Sequence, residues 1–220
     1  MKETIRISSS SAIVLVLFTL AFTGLMATTF FATKPAIDES IRAEKMQLSG
    51  EVLPESLYDN DLLADGINLP PVPALGLDDE PSIVFRARRD GAPVALVAEA
   101  AAPDGYSGQI KLLLAVGADG RLLAMRVTAH KETPGLGDYI DPKKDKNKAK
   151  PWIGQFDGKG LDQIAIAQWK VRKDGGVFDA RVGATISARA ITNASGRALA
   201  WIAAHRDQLF AQSAGTHFEE

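Results

Sequence analysis

The segment Ile110-Lys111-Leu112-Leu113-Leu114-Ala115-Val116 predicts a β-strand, because it is short, continuous and apolar. The turn residues Gly117-Ala118-Asp119-Gly120 follow it, and a second apolar run extends from Leu122 to Thr128. Strand, turn and strand in this order predict an antiparallel hairpin. The centre of the chain is therefore expected to be β-structure.

A second hairpin pattern lies upstream of the first. Ile83-Val84-Phe85-Arg86 and the run from Pro93 to Ala98 flank Arg89-Asp90-Gly91, and Asp-Gly is a strong signal for a tight hairpin turn. Together the two hairpins predict an antiparallel meander of about four strands, which is an ordinary sheet size. Trp169-Lys170-Val171-Arg172 is a further strand candidate that ends before Asp174-Gly175-Gly176.

The C-terminal part of the chain has the spacing of an amphipathic helix. Its apolar residues recur at helical spacing, at Ile191, Ala194, Ala198, Ile202 and Leu209. We expect this face to pack on the sheet. The predicted class is α+β, with an antiparallel sheet and a packed C-terminal helix.

The N-terminus predicts a membrane anchor. No charged residue occurs from Ser8 to Thr33, and the segment from Ala12 to Thr33 has 22 residues, close to the ~20 that a helix needs to cross a bilayer. Lys2 and Arg6 precede it, which favours a cytoplasmic N-terminus and a main domain on the periplasmic side. A cleaved signal peptide is the competing interpretation, since a short basic stretch before an apolar run is also typical of one.

The remaining segments divide the chain into three expected parts. Residues 1–34 form the cytoplasmic N-terminus and anchor, residues 35–80 a helical and extended connector, and residues 81–220 the main domain. Within the connector, Pro35 to Ser49 is typical of a short amphipathic helix. Leu69-Pro70-Pro71-Val72-Pro73 predicts an extended backbone.

Composition excludes several functional classes. The chain has no cysteine, so it has no disulfides and no thiolate ligands for an iron–sulfur cluster or structural zinc, and any redox chemistry needs an organic cofactor. A net charge of −2 argues against a nucleic-acid-binding protein. The phosphate-binding and dinucleotide-binding glycine motifs and the His-Glu-x-x-His metal motif are missing from the sequence, which leaves a nucleotide hydrolase, a dehydrogenase or a zinc protease unsupported.

The loop from Lys143 to Lys150 is rich in lysine and is expected to be exposed. Two interpretations stay open for it. It is either a solvated surface run or a docking patch for an acidic partner.

Thr185 is the candidate residue for the covalent attachment of a phosphorylated cofactor. It follows Gly183 and Ala184 at the mouth of the predicted C-terminal helix, where free backbone N–H groups and the helix dipole favour a phosphate. The alternative is a plain N-cap, in which the hydroxyl accepts a hydrogen bond from a backbone N–H of the first turn.

Three motifs in one order resemble a known family. Asp179-Ala180-Arg181-Val182-Gly183-Ala184-Thr185 resembles the flavinylation motif Asp-x-x-(Ser/Thr)-Gly-Ala-Thr, with Val182 in place of Ser or Thr. Gly105-Tyr106-Ser107-Gly108 resembles the Gly-Tyr-x-Gly signature, and the segment from Glu132 to Gly137 resembles Glu-Thr-Pro-Gly-Leu-Gly. The chain is thus similar to the FMN-binding domain of the Rnf electron transport complex G subunit. The C subunit of the sodium-translocating NADH:quinone reductase is a related family.

The resemblance implies a cofactor, partners and a site. The cofactor would be FMN, joined through its phosphate to Thr185 by a dedicated flavin transferase. The protein would be a single-pass subunit of the bacterial inner membrane that contacts other membrane subunits and transfers electrons within an ion-translocating oxidoreductase between ferredoxin and NAD, without turnover of its own. The flavin would lie at the residues Gly183, Ala184, Glu132, Thr133, Gly135, Leu136 and Trp152.

Some of these residues carry alternatives of their own. Trp152 is chosen over Tyr139 and Trp169 as the aromatic ring that stacks on the flavin, and Tyr106 is either structural or directed at the flavin. His130 and Glu132 have no third ligand at a recognised spacing, so a metal site there is disfavoured. A non-redox scaffold and a flavin reductase that acts alone are the two alternative functions for such a chain.

Overall fold

A computed structural model describes residues 2–219 of the chain, with side chains from Ala12 onward. The chain divides into two compact units, Met1–Lys45 and Met46–Glu220. The second unit contains an antiparallel sheet and a long C-terminal helix. The predicted α+β class is confirmed.

The helix α1 (Lys2–Val52) is continuous and carries Pro35 in its interior. The amphipathic helix expected from Pro35 to Ser49 is therefore part of a longer helix and does not begin at the proline. From Ala12 the helix includes a stretch with a mean hydropathy of 2.2, none of it buried. By length and composition this stretch is sufficient to cross a membrane.

The sheet is a six-stranded antiparallel meander in which every strand pairs with its neighbours in sequence. Its strands are β1 (Gly66–Leu69), β2 (Ser82–Arg89), β3 (Ala92–Ala102), β4 (Ile110–Gly117), β5 (Arg121–Ala129) and β6 (Lys159–Gly160). The two predicted hairpins are β2–β3 and β4–β5. β1 and β6 add one strand at each edge. β1 lies ahead of residue 81, the expected border of the FMN-binding domain, and that border stays a prediction.

The Asp-Gly turn sets the register of the first hairpin. Asp90 has φ 51° and Gly91 has φ 76°, and two successive positive φ angles are typical of the turn that matches the twist of paired strands. Gly91 adopts this conformation without strain because it has no side chain. The turn leaves Arg89 opposite Ala92, and a register shift between Ala87 and Arg88 then places Phe85 opposite Val97.

The helix α2 (Thr185–Ala211) packs against β3 and β4 on one face of the sheet. The five apolar residues predicted to face the sheet, Ile191, Ala194, Ala198, Ile202 and Leu209, are all buried in the main core. On the opposite face, Val52 and Leu53 from the end of α1 and Leu62 form a second core with Val97 and Ala115. The sheet is thus covered on both faces.

The prediction of a strand at Trp169–Arg172 is wrong. Val171 makes only an isolated bridge with Phe178, and Arg172–Asp174 forms a 3-10 turn. Trp169 packs instead on α2, where its indole N–H donates to Ser195 Oγ at 3.1 Å. A Cβ on Gly196 would lie 2.6 Å from Trp169 Cδ1, so glycine is required for this close approach. Packing on the helix, in place of strand pairing, buries Trp169, whereas Lys170 and Arg172 stay exposed.

Two arginines of β2 close the C-terminal end of α2. Arg86 is 2% exposed, pairs with Asp65 and donates to the carbonyls of Leu209 (3.0 Å) and Gln212. Arg88 pairs with the same Asp65 and donates to Phe210 O at 2.7 Å. Cations are favoured where a helix leaves carbonyls unpaired.

The residues after α2 lie along the free side of β1. Asn68 N donates to Thr216 O at 3.0 Å, and Phe218 N donates to Asn68 O at 2.8 Å. The Phe218 ring is buried in the main core. The C-terminal tail thus binds one edge of the sheet.

Candidate functional site

The three motifs meet at the N-terminal end of α2. A cavity of about 290 Å³ lies there, lined by Tyr106, Glu132, Thr133, Leu136, Gly137, Gly183, Ala184, Ile186 and Ser187. Its volume is just below the range of about 300 to 1,000 Å³ that is usual for ligand pockets. Five of the predicted site residues therefore lie together: Gly183, Ala184, Glu132, Thr133 and Leu136. Gly135 belongs to the same turn but not to the lining.

Glu132 joins the motifs to one another. Its side chain is buried, and Oε1 accepts a hydrogen bond from Ser107 N–H at 3.1 Å while Oε2 accepts one from the Ser187 hydroxyl. Ser107 belongs to the upstream motif and Ser187 to the first turn of α2. One carboxylate thus holds three segments that are far apart in sequence.

The turn after Glu132 shapes one wall of the cavity. Leu136 N and Gly137 N both donate to Thr133 O at 3.1 Å, and Gly135 has φ +75°. A Cβ on Gly137 would lie 2.7 Å from Glu132 Oε2 and 2.8 Å from Ser187 Oγ. The backbone therefore has to be bare at this position for the Glu132–Ser187 contact to form. Leu136 stands at the rim, 58% exposed.

Thr185 is the first residue of α2, and the helix has no side-chain cap. Ala184 occupies the N-cap position, so the interpretation of Thr185 as a plain N-cap is wrong. Within residues 12–219 the Thr185 hydroxyl makes no hydrogen bond. The N–H groups of a first helical turn have no partner inside the helix and favour an anion. The hydroxyl and the helix end are both available to a ligand.

The backbone turns sharply just before Thr185. Gly183 has φ +86°, and Ala184 N donates to Arg181 O at 3.1 Å. A residue with a side chain is strained at this φ, which explains the glycine. Val182, the one departure from the motif, is fully exposed. Its side chain does not contribute to the packing of the turn, so valine is sterically acceptable there.

A polar network of Tyr139, Arg181 and Asp145 holds the turn that precedes Thr185. The Tyr139 hydroxyl donates to Ala184 O at 3.1 Å and accepts from Arg181 N–H at 3.2 Å. The Arg181 guanidinium lies 4.6 Å from the centre of the Tyr139 ring and pairs with Asp145. Burial raises the pKa of Tyr139 above its ordinary value, so its hydroxyl keeps the proton that it donates.

Asp145 is a buried charge in a loop that is otherwise exposed. Its carboxylate accepts hydrogen bonds from Trp152 N–H (2.7 Å), Asn147 N–H (2.8 Å) and Arg181. Burial alone would raise the pKa of Asp145, but these three donors outweigh it and hold the pKa below its ordinary value. Asp145 therefore stays ionised at neutral pH.

Trp152 does not line the cavity. Its ring is 8% exposed and packs edge-on against Tyr139 and Phe156, with centroids 5.4 and 5.5 Å away. Its indole N–H donates to Asp179 O at 2.6 Å, and Gln155 Oε1 accepts a hydrogen bond from Asp179 N–H at 2.7 Å. In this arrangement Trp152 holds the start of the Asp179–Thr185 segment. Stacking of Trp152 on the flavin stays a prediction.

Sequence reasoning missed several residues of this region. Asp145 was hidden by the five lysines around it, and its burial depends on partners that lie up to 36 positions away. Ser187 was not among the predicted site residues. Its spacing of two residues from Thr185, on the first helical turn, was the available signal. Ile186, 43% exposed at the cavity, carried no signal of its own.

Known proteins resemble the chain over most of its length. The FMN-binding domain family matches residues 105–200, and the RnfG N-terminal region matches residues 1–52. The G subunit of the ion-translocating oxidoreductase complex of Pseudomonas aeruginosa (strain UCBPP-PA14) is 44% identical over 201 residues, which cover 91% of each chain. The proteins of the same name from Vibrio vulnificus (strain YJ016) and Shewanella baltica (strain OS223) are 38% and 40% identical, covering 95% and 89% of this chain and 97% and 90% of their own.

Proposed function

We propose that this chain, which belongs to the G-subunit family of ion-translocating oxidoreductase complexes, carries FMN in phosphoester linkage to Thr185 and relays electrons through it. The family makes it a membrane-associated subunit with an FMN-binding domain. We propose the covalent bond, the electron relay and the residues that contact the flavin.

The uncapped start of α2 is the observation that carries the proposal. The Thr185 hydroxyl has no hydrogen-bond partner among the described residues, and no side chain satisfies the N–H groups of the first turn. A phosphoester at Thr185 keeps one negative charge, which those N–H groups and the helix dipole stabilise by about 0.3 to 1 kcal/mol. The adjoining cavity, with an apolar rim at Leu136 and Ile186, suits the edge of a flat ring system.

The attachment reaction needs an activated donor and a base, which the flavin transferase supplies. The Thr185 hydroxyl oxygen attacks the flavin-bearing phosphorus of a pyrophosphate donor. The bond between that phosphorus and the bridging oxygen breaks, the other phosphate group leaves, and the hydroxyl proton passes to the base. Thr185 is half-buried, and its neighbours Val182 and Ile186 are exposed.

Flavin, when bound, supplies one- and two-electron transfer, and the chain's own residues position it. Glu132 fixes the Thr133–Gly137 turn against the first turn of α2. Tyr139 and Arg181 fix the turn that precedes Thr185 from below. We assign Glu132, Thr133, Gly135, Leu136, Gly183 and Ala184 to the flavin site on this basis.

Fluorescence of the denatured chain tests the attachment. Full-length protein, coexpressed with a flavin transferase, should keep flavin fluorescence on a denaturing gel, and intact mass should show one FMN-sized adduct. Thr185→Val should abolish both signals, whereas Thr128→Val, at an exposed position of β5, should keep them. Fluorescence that persists in Thr185→Val would overturn the assignment. A folded but colourless wild-type protein would favour the scaffold function.

We also propose that the main domain lies on the periplasmic side, because Lys2 and Arg6 precede the apolar stretch. Cysteines introduced singly at two exposed positions, Ser107 and Ser213, should react with a membrane-impermeant maleimide in intact spheroplasts. The chain has no native cysteine to obscure the signal. Labelling only after cell lysis would reverse the proposed orientation.

A further inference from the structure

A rigid, positively charged loop lies beside the proposed flavin site. The ten residues from Asp141 to Lys150, called here the lysine loop, contain five lysines and two aspartates. Asp145 is buried and neutralised by Arg181. The surface that remains is dominated by ammonium groups.

The loop is fixed at its base and along its length. Asp145 receives three hydrogen bonds, as described above. Lys148 Nζ donates to Lys143 O at 2.7 Å, which closes the loop on itself. Lys143 Nζ in turn pairs with Glu51, at the end of α1, at 3.0 Å. These contacts fix the loop backbone from which the remaining lysines project.

Four lysines of this loop have no anionic partner in the part of the chain that the structure describes, and one of them, Lys148, donates to backbone carbonyls instead. Lys144, Lys146 and Lys150 are exposed and form no ion pair there. The loop has no large apolar side chain, so it offers a partner charge rather than buried apolar area. Contacts of this kind are typical of short-lived redox complexes, in which charge complementarity guides the encounter.

The loop also has a direct physical link to the attachment segment. Arg181, the partner of Asp145, lies four residues before Thr185, and Tyr139 contacts both Arg181 and Ala184. A partner that rests on the lysine loop therefore comes close to the N-terminal end of α2. Short distance is what electron transfer to a flavin at Thr185 requires.

We propose that the lysine loop docks an acidic face of the protein that exchanges electrons with this subunit, an inference that rests on the proposed function. Lys144, Lys146 and Lys150 supply the charge, and Asp145 keeps them beside the flavin site. The partner is a protein, since the charges lie on a fixed backbone next to the proposed redox site, whereas a lipid headgroup layer would accept the same charges anywhere on the surface that faces the membrane.

Two charge-reversal variants of the full chain, assembled into the complex, test this. Lys144→Glu with Lys146→Glu changes the loop. Lys159→Glu with Arg197→Glu makes the same change in net charge at exposed positions outside it. Zero-length carbodiimide cross-linking, read by mass spectrometry, reports loop lysines joined to carboxylates of another subunit. Stopped-flow absorbance reports the rate of flavin reduction as ionic strength rises.

We expect cross-links from Lys144, Lys146 or Lys150 in the wild-type complex, and their loss in the loop variant. Flavin reduction in the loop variant should be about tenfold slower at low ionic strength and less sensitive to salt. The control variant should match wild type in both readouts. The proposal is overturned if loop lysines give no cross-link, or if the two variants reduce flavin at the same rate.

Two further outcomes are separable. If the loop variant is slow only in nanodiscs with anionic lipid and normal in phosphatidylcholine, the loop binds the membrane and the proposal fails. If the wild-type chain carries no flavin, the proposed function fails. Cross-linking does not need flavin and then decides the docking surface alone, as it also does in Thr185→Val.

Discussion

The two ends of α2 are built in opposite ways. At the C-terminal end, Arg86 and Arg88 donate to three backbone carbonyls and share the carboxylate of Asp65. At the N-terminal end, no side chain caps the helix and the Thr185 hydroxyl makes no hydrogen bond among residues 12–219. One end is closed by the protein itself, and the other is open at the proposed attachment residue. We therefore expect substitutions at the C-terminal end to affect mainly stability and substitutions of Thr185 to affect mainly flavin attachment.

The largest effect is expected at the closed end. Arg86→Met should lower the free energy of unfolding by about 3 to 5 kcal/mol, because Asp65 and the helix carbonyls lose a buried cationic donor. Urea denaturation followed by circular dichroism measures this. Arg197→Met, on the exposed side of the same helix, should change stability by no more than about 0.5 kcal/mol. Equal losses in the two variants would contradict the contrast between the ends.

Glu132→Ala should lower the free energy of unfolding by about 2 to 3 kcal/mol. It leaves Ser107 N–H and the Ser187 hydroxyl without their acceptor. We also expect less flavin per chain after coexpression with the transferase, measured by absorbance, since the turn is no longer held against α2. Glu132→Gln keeps one acceptor oxygen, so its stability and its flavin content should fall between those of wild type and those of Glu132→Ala. Full flavin loading in Glu132→Ala would show that the turn does not position the site.

Asp145→Asn should lower the free energy of unfolding by about 1 to 2 kcal/mol at pH 7, since one charge-assisted bond to Arg181 is lost. The folded-state pKa of Asp145 is depressed, so the ionised carboxylate stabilises the fold above the unfolded pKa of about 3.9. That contribution is lost as pH falls through the folded pKa. Denaturation curves at several pH values should therefore converge for variant and wild type in strong acid. A difference independent of pH would sink this assignment.

The smallest effect on stability is expected at the open end. Thr185→Val removes a hydroxyl that has no hydrogen-bond partner among the described residues, and it should change the free energy of unfolding by no more than about 0.5 kcal/mol. The same variant should lose all covalent flavin. Thermal melting of protein made without the transferase gives the comparison. A loss above about 1 kcal/mol would mean that the hydroxyl acts as a cap after all.

Structural features that depend on neighbouring residues in the sequence were predictable, and features that depend on residues far apart in the sequence were not. The Asp90-Gly91 turn and the apolar face of α2 follow from residue spacing, and both are present. β1 and β6 escaped prediction because they are only four and two residues long and form against the partners β2 and β5. The motifs at Glu132 and Thr185 were visible as a resemblance. That Glu132 joins them is a property of the folded chain alone.

The C-terminal tail has a consequence for solubility. A meander ordinarily leaves two outer strands whose unpaired N–H and C=O groups can pair with another molecule and begin aggregation. Here Thr216 and Phe218 occupy the outer side of β1 through Asn68, and β6 at the opposite border is only two residues long. Deleting the last few residues would uncover β1 and make the domain prone to self-association, although the tail is remote from Thr185.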